Sequence, residues 1–248
     1  MTAAKAGSEK TLTFRLLAAL VVPLMAAISR LEIINSNNMP REGAFVLAPN
    51  HYSNLDPLVM ALAVWKLGRA PRFLAKASLF TVPVVGAALR GTGQIPVERA
   101  GSSRNHGPLR EANELVANGH CIVIYPEGTL TRDPGLWPMR GKTGAVRMAL
   151  EQKIPIIPSA HWGTQEVMPR YAKKISLFPR KTIRITFGEP VDLSAFIGRP
   201  LNAATLREAT EVVMADITKL VEALRNETAP AERWNPTAHK QSETGHFE

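Results

Sequence analysis

Short unbroken apolar runs alternate along this chain with longer stretches in which apolar residues recur every three or four positions. Ala44–Ala48, Arg72–Ala75, Cys121–Tyr125 and Ile154–Ala160 have the length and composition of buried strands. Between them, Leu58–Val64, residues 104–119 (Leu109, Ala112, Leu115 and Val116 inward) and residues 143–153 have helical spacing. A long helix is predicted where Leu206, Ala209, Val213, Ile217, Leu220, Val221 and Leu224 mark one face. This alternation predicts an α/β fold: a mixed, largely parallel sheet covered by helices. A later pair of strands is predicted at Ile175–Phe178 and Ile183–Phe187, and Leu79–Leu89 reads as an apolar segment interrupted by Pro and Gly.

The two ends break this rhythm. Between Arg15 and Arg30 lie fourteen uncharged residues, too few for a helix crossing a hydrocarbon core about 30 Å thick. Leu16, Leu17, Leu20, Val21, Leu24, Met25 and Ile28 recur at helical spacing, with Pro23 expected to bend or interrupt the helix. The pattern fits a membrane-associating helix lying in the interface, and packing on the catalytic domain is compatible with it. A basic start and Ala26-Ala27 also suit a signal peptide, but the loop singled out below begins only about twenty residues later. Beyond Asn226 the sequence turns polar and Pro-containing. The expected organisation is an interfacial membrane helix segment over 1–39, a catalytic domain over 40–225 and a disordered tail over 226–248.

Charge narrows the partners. Lys+Arg number 30 and Asp+Glu 21, a net +9 over 248 residues, and the last 23 residues hold two basic and four acidic groups, which leaves +11 on residues 1–225. Such a surface attracts phospholipid head groups and phosphorylated substrates. No aromatic-rich basic stretch supports a nucleic-acid partner. A single cysteine, Cys121, permits neither an intramolecular disulfide nor a Cys-based metal site.

The candidate chemistry lies in Asn50-His51-Tyr52-Ser53-Asn54-Leu55-Asp56-Pro57, the connection from the first apolar run to its helix. Ligands of α/β proteins gather at such strand ends. Asp56 is expected at the N-cap and Pro57 at the first helical position. A loop curling back onto its cap can bring the His51 imidazole within reach of the Asp56 carboxylate and make His51 a positioned general base; the pair alone fits equally a plain helix cap and an ordinary loop histidine. The other histidines lack His-Glu-x-x-His spacing, and only His161 could approach the site. Ser53 lacks a Gly-x-Ser-x-Gly elbow, and Gly141-Lys142-Thr143-Gly144 misses P-loop spacing by one residue.

His51-x4-Asp56 resembles the His-x4-Asp motif of the glycerolipid acyltransferase family, whose best-known members are 1-acylglycerol-3-phosphate acyltransferases. Gly93-Gln94-Ile95-Pro96-Val97-Glu98-Arg99, Tyr125-Pro126-Glu127-Gly128-Thr129 and Ile156-Ile157-Pro158 follow in the family's order, so the resemblance covers residues from about 45 to 160. Two departures stand out: Tyr125 where Phe is common, and Leu130-Thr131-Arg132 where Arg-Ser often follows, which leaves a role for Arg132 open. The resemblance implies direct transfer of a fatty acyl group from acyl-CoA or acyl carrier protein to a lysophospholipid, 1-acylglycerol 3-phosphate, making phosphatidate with no cofactor or metal. His51 would be the base and Asp56 its support. Arg99 would hold the acceptor phosphate with help from Lys142, and Asn50, Glu127, Gly128 and Thr129 would line the acceptor site. The expected location is peripheral or monotopic, on the cytoplasmic side of the cell membrane. Other acceptors (glycerol 3-phosphate, another lysophospholipid, a glycolipid) and a lipid or thioester hydrolase are the alternatives.

Overall fold

The computed structural model describes residues 9–97 and 113–242. Arg99 and the start of the helix predicted over 104–119 lie outside the described residues; 113–117 are helical.

The elements, in order, are α1 (Leu12–Ile28), β1 (Ser29–Ile34), β2 (Phe45–Pro49), α2 (Asp56–Lys66), β3 (Pro71–Lys76), α3 (Pro83–Gly91), β4 (Ile95–Val97), β5 (Cys121–Val123), α4 (Gly144–Gln152), β6 (Ile156–Trp162), α5 (Thr164–Val167), β7 (Lys181–Phe187) and α6 (Ala203–Arg225). The strands form one sheet in the order β1-β7-β6-β2-β5-β3-β4. Every neighbouring pair is parallel except β6 with β7. The mixed, largely parallel α/β architecture expected from the alternation is thus present.

β2 is central and all five of its residues are buried, as a strand covered on both faces must be. Val46 and Ala48 face one layer with Ile122, Ile156 and the inner residues of α4 and α6. Phe45 and Leu47 face the other, with α2 and with Met25 and Ile28 of α1. Helix α6 starts at Asn202, whose side chain accepts the Thr205 N–H at 2.9 Å, and its predicted stripe is its buried face, apart from the half-buried Leu220.

Four expectations need correction. The segment over 1–39 is not separate from the domain: β1 pairs along six residues with β7, because Leu31 and Ile33 pack into the α2 face while Arg30 and Glu32 point away. Pro23 does not interrupt α1, which runs on through it from Leu12 to Ile28. Ile175–Phe178 is not a strand; these residues form an exposed turn before β7. Residues 226–242 are ordered on the domain: Arg140 N–H donates to the Trp234 carbonyl at 2.9 Å, and Trp234 stacks on His239.

Candidate active site

The loop that carries His51 leaves the carboxyl end of the central strand and re-enters the fold at α2. The helix begins at Asp56, the residue expected to cap it, and Leu55 is the N-cap instead. The reason is local: the Asp56 carboxylate turns back into the loop. Its Oδ2 accepts the N–H groups of Tyr52 and Ser53, both at 2.7 Å, and the His51 Nδ1 proton at 3.0 Å. Asp56 is fully buried, and three donors on one oxygen hold its charge there. Placement in the first turn of α2 adds the favourable end of the helix dipole.

With Nδ1 donating, the other His51 nitrogen, Nε2, keeps its lone pair. The ring is 14% exposed and stacks on Tyr125, centroids 4.1 Å apart. Its backbone is fixed at both ends: His51 N–H donates to Glu127 Oε1 at 2.8 Å, and the His51 carbonyl accepts from Thr131 N at 2.6 Å. The imidazole is therefore presented at the sheet edge with one orientation and one accepting nitrogen.

Glu127 is a loop support. It is fully buried, and its second oxygen, Oε2, accepts the Met139 N–H at 3.0 Å. Burial, with a smaller contribution from the Asp56 charge, pushes its carboxyl up to about 8 against the pull of these hydrogen bonds. Asn50 is likewise buried and bonded to backbone: its Oδ1 accepts the His161 N–H and its Nδ2 donates to the His161 carbonyl, extending the β2–β6 pairing past Pro49. Both residues, expected to line the acceptor site, are held in place by these backbone partners.

Gly128 sits at φ +69°, and a Cβ there would lie 2.9 Å from Lys142 Cδ, so the turn needs glycine for backbone and space alike. The Lys142 N–H donates to the Pro126 carbonyl at 2.7 Å. Lys142 thus lies directly over the Glu127-Gly128 turn, and Thr129 beside it is buried. Arg132 turns inward: it is 2% exposed and bonds the Tyr171 hydroxyl and the Ser242 carbonyl.

His161, expected to approach the site or to be structural, is a buried structural residue. The fold puts it beneath the dyad, fully buried, with Nε2 donating to the Asn50 carbonyl at 3.0 Å and Nδ1 3.1 Å from the Tyr52 hydroxyl. Burial lowers its proton affinity against the pull of the Asp56 charge, and Nδ1 lies 3.7 Å from Asp56 Oδ1. Tyr52 and Thr164 complete this floor. Ser53 is not poised to attack: its hydroxyl donates to the Met168 carbonyl at 2.7 Å and accepts the Leu55 N–H.

Fold and site define an α/β protein whose sheet edge carries a hydrogen-bonded His–Asp pair and, among the described residues, no serine hydroxyl bonded to that histidine. The family model described as Acyltransferase matches residues 30–162. The chain belongs to the Acyltransferase family. A 1-acyl-sn-glycerol-3-phosphate acyltransferase of Bacillus subtilis is 29% identical over 191 residues, covering 76% of this chain and 87% of that protein. The chloroplast 1-acyl-sn-glycerol-3-phosphate acyltransferase of Brassica napus is 29% identical over 164 residues, and there the match spans 66% of this chain and 44% of the relative. The chain therefore spans less than half the length of that relative and, at 43%, of its Arabidopsis thaliana counterpart. The crystal structure of the 1-acyl-sn-glycerophosphate acyltransferase from Thermotoga maritima shares the fold, with a TM-score of 0.62, 22% identity, and coverage of 87% of this chain and 81% of that one.

Proposed function

We propose that this protein transfers a fatty acyl group from an acyl thioester, acyl-CoA or acyl carrier protein, to the free hydroxyl of 1-acylglycerol 3-phosphate, giving phosphatidate. The observation that carries the reading is the His51–Asp56 pair: a buried carboxylate fixes the tautomer that leaves Nε2 as a proton acceptor. The acceptor hydroxyl takes the place that a catalytic serine occupies in a triad. Its proton passes to His51 Nε2 as its oxygen attacks the thioester carbonyl; the C–S bond then breaks, and the departing thiolate takes the proton from the imidazolium, which Asp56 stabilises meanwhile.

Lys142, lying over Gly128, supplies a cation beside this loop, and Arg99 is the proposed principal phosphate anchor on its match to the family motif. Asn50, Glu127, Gly128 and Thr129 act by holding the loop that the acceptor meets. The proposed location is the membrane surface, peripheral or monotopic. Leu12, Leu16, Leu20 and Leu24 form an i, i+4 stripe on α1, each between 58% and 73% exposed, and among the described residues no helix is long and apolar enough to cross a membrane.

Incubation with labelled acyl-CoA or acyl carrier protein and a panel of acceptors (lysophosphatidate, glycerol 3-phosphate, other lysophospholipids, water) tests the reading. Phosphatidate is the expected main product, and His51→Ala should lower its formation by about 10²–10⁴-fold without loss of fold. Free fatty acid as the sole product would replace the transferase with a hydrolase.

A further inference from the structure

The turn before β7 has no place in this chemistry, and its composition is unusual. Residues 167–188 contain six basic side chains and no Asp or Glu. At its tip Ile175, Leu177 and Phe178 are 45%, 60% and 89% exposed, although nothing forces three large apolar side chains in a row of four into water. Lys173 and Lys174 precede them and Arg180 and Lys181 follow, and among the described residues none of these four cations is paired with a carboxylate. Behind the tip opens a cleft of about 430 Å³ whose lining includes Arg180, Lys181, Arg184 and Trp162, with Glu166 as the acid in its wall.

Two connections give this surface a direction. Arg180 Nε donates to the Ser29 carbonyl at 3.1 Å, which anchors the tip at the carboxyl end of the helix that carries the exposed leucines. The base of the same segment is tied to the catalytic loops: Arg170 Nη1 donates to the carbonyls of Thr131 and Asp133, both at 2.7 Å, and Ser53 bonds Met168. One stretch of chain therefore joins the exposed tip to the loop that carries His51.

We infer that residues 173–184 form a docking site for anionic phospholipid in a bilayer: Leu177 and Phe178 enter the acyl region, and the basic cleft seats a phosphate-bearing head group. The charge is complementary to an anionic leaflet and would be idle on a neutral one; apolar side chains ringed by lysine and arginine match the apolar-core, charged-rim profile of an interface. The site rests on the proposed lipid chemistry only in that it would hold the catalytic edge at the surface where lysophosphatidate resides. It is distinct from the acceptor's own binding residues.

Vesicle flotation tests it, comparing phosphatidylcholine alone with the same lipid containing about a quarter phosphatidylglycerol. The wild-type chain should partition more strongly onto the anionic vesicles, and more so at low salt. Leu177→Ser/Phe178→Ser should lower partition about tenfold or more on both. Lys173→Glu/Lys174→Glu should leave neutral vesicles unaffected and lower anionic binding by roughly fivefold or more for each charge. A Phe178→Cys protein carrying an environment-sensitive dye should report an apolar environment on anionic vesicles; Cys121, the one native cysteine, is buried. Turnover of a soluble short-chain acceptor should be unchanged in all variants. Equal binding of both vesicle types by the wild type, or partition within twofold of it for both double variants, overturns the site. Loss of turnover with a carrier-protein donor at unchanged vesicle binding overturns it too, and assigns the surface to a protein partner. Absence of acyl transfer by the wild type would instead sink the proposed reaction while the vesicle result stood.

Discussion

Asp56 is the residue on which the site turns, and its environment says what to expect of its replacements. Asp56→Asn keeps the volume but offers His51 Nδ1 an amide in place of a charge, so the ring loses the partner of its imidazolium form. Transfer should fall by at least about 10²-fold, and stability should fall as well, because three donors face a neutral group. Single-turnover kinetics on a variant with a normal near-UV spectrum checks the first part; undiminished turnover would remove Asp56 from the mechanism. Tyr125 gives the opposite expectation. Its hydroxyl is buried and has no hydrogen-bond partner among the described residues, so Tyr125→Phe should keep the ring on His51 and leave Tm equal or higher, with a lower Tm counting against this account. Glu127 couples the site to pH. An unfolded carboxyl titrates near 4.3 and the folded one near 8, so the native state binds the extra proton between those values. The stabilising share is complete below about 4.3 and is lost as pH rises through about 8. Glu127→Gln cannot titrate, so Tm of the variant minus Tm of the wild type should become more positive from about pH 5 to about pH 9. A difference that stays constant across this range would mean that Glu127 does not change charge in it.

Elements were legible where their apolar residues face the protein's own core, and illegible where they face something else or where two patterns abut. β2, β5, β6 and α6 are buried as their patterns require. Ile175–Phe178 has the composition of a strand yet stands out in solvent; hydrophobicity records the need for an apolar partner without saying which molecule supplies it. β1 was hidden for the other reason. Its alternation, with Leu31 and Ile33 inward and Arg30 and Glu32 outward, follows Ile28 with no Gly or Pro to separate it from α1. The ordered loop was readable from His51 to Asp56, whereas the support given by Glu127 and His161 comes from segments 76 and 111 residues away. This bears on the amino-terminal segment. Removing residues 1–39 strips β1 from β7 and exposes that strand's edge, so the truncated chain should fail to give a cooperative unfolding transition. Leu16→Ser/Leu20→Ser alters only the outer face of α1 and should weaken liposome binding at nearly unchanged Tm. A soluble, cooperatively folding 40–248 fragment would show that the edge strand is dispensable.

At the scale of the whole molecule the two edges of the sheet divide the work. The carboxyl edge holds the dyad and its loops, and the opposite edge is closed by a polar clamp. Glu9, just before α1, bonds Arg69 Nε and Nη2 at 2.8–3.2 Å and the Ala70 N–H at 3.0 Å, while its carbonyl accepts from Arg72. Arg69 is 4% exposed and also donates to the carbonyls of Pro40, Gly43 and Gly119. One guanidinium thereby gathers the chain leading into α1, β2, β3 and β5, a use that suits the arginine fork and that lysine could not copy. Burial alone would raise the Glu9 carboxyl, but the His120 ring 3.7 Å away, hydrogen bonds from Arg69 and Ala70, and the Arg69 charge hold it at about 2. For an acid so lowered, the stabilising share is present above the unfolded value near 4.3 and is lost as pH falls through about 2. Glu9→Gln should therefore lower Tm at neutral pH, and the gap to the wild type should close between about pH 4.3 and about pH 2. Arg69→Met should lower Tm further, since it takes the guanidinium from Glu9 and leaves three carbonyls without that donor. Neither change touches the carboxyl edge, so kcat/KM measured well below the lowered Tm should match the wild type. A fall in kcat/KM in a fully folded Arg69→Met protein would show that the two edges are coupled.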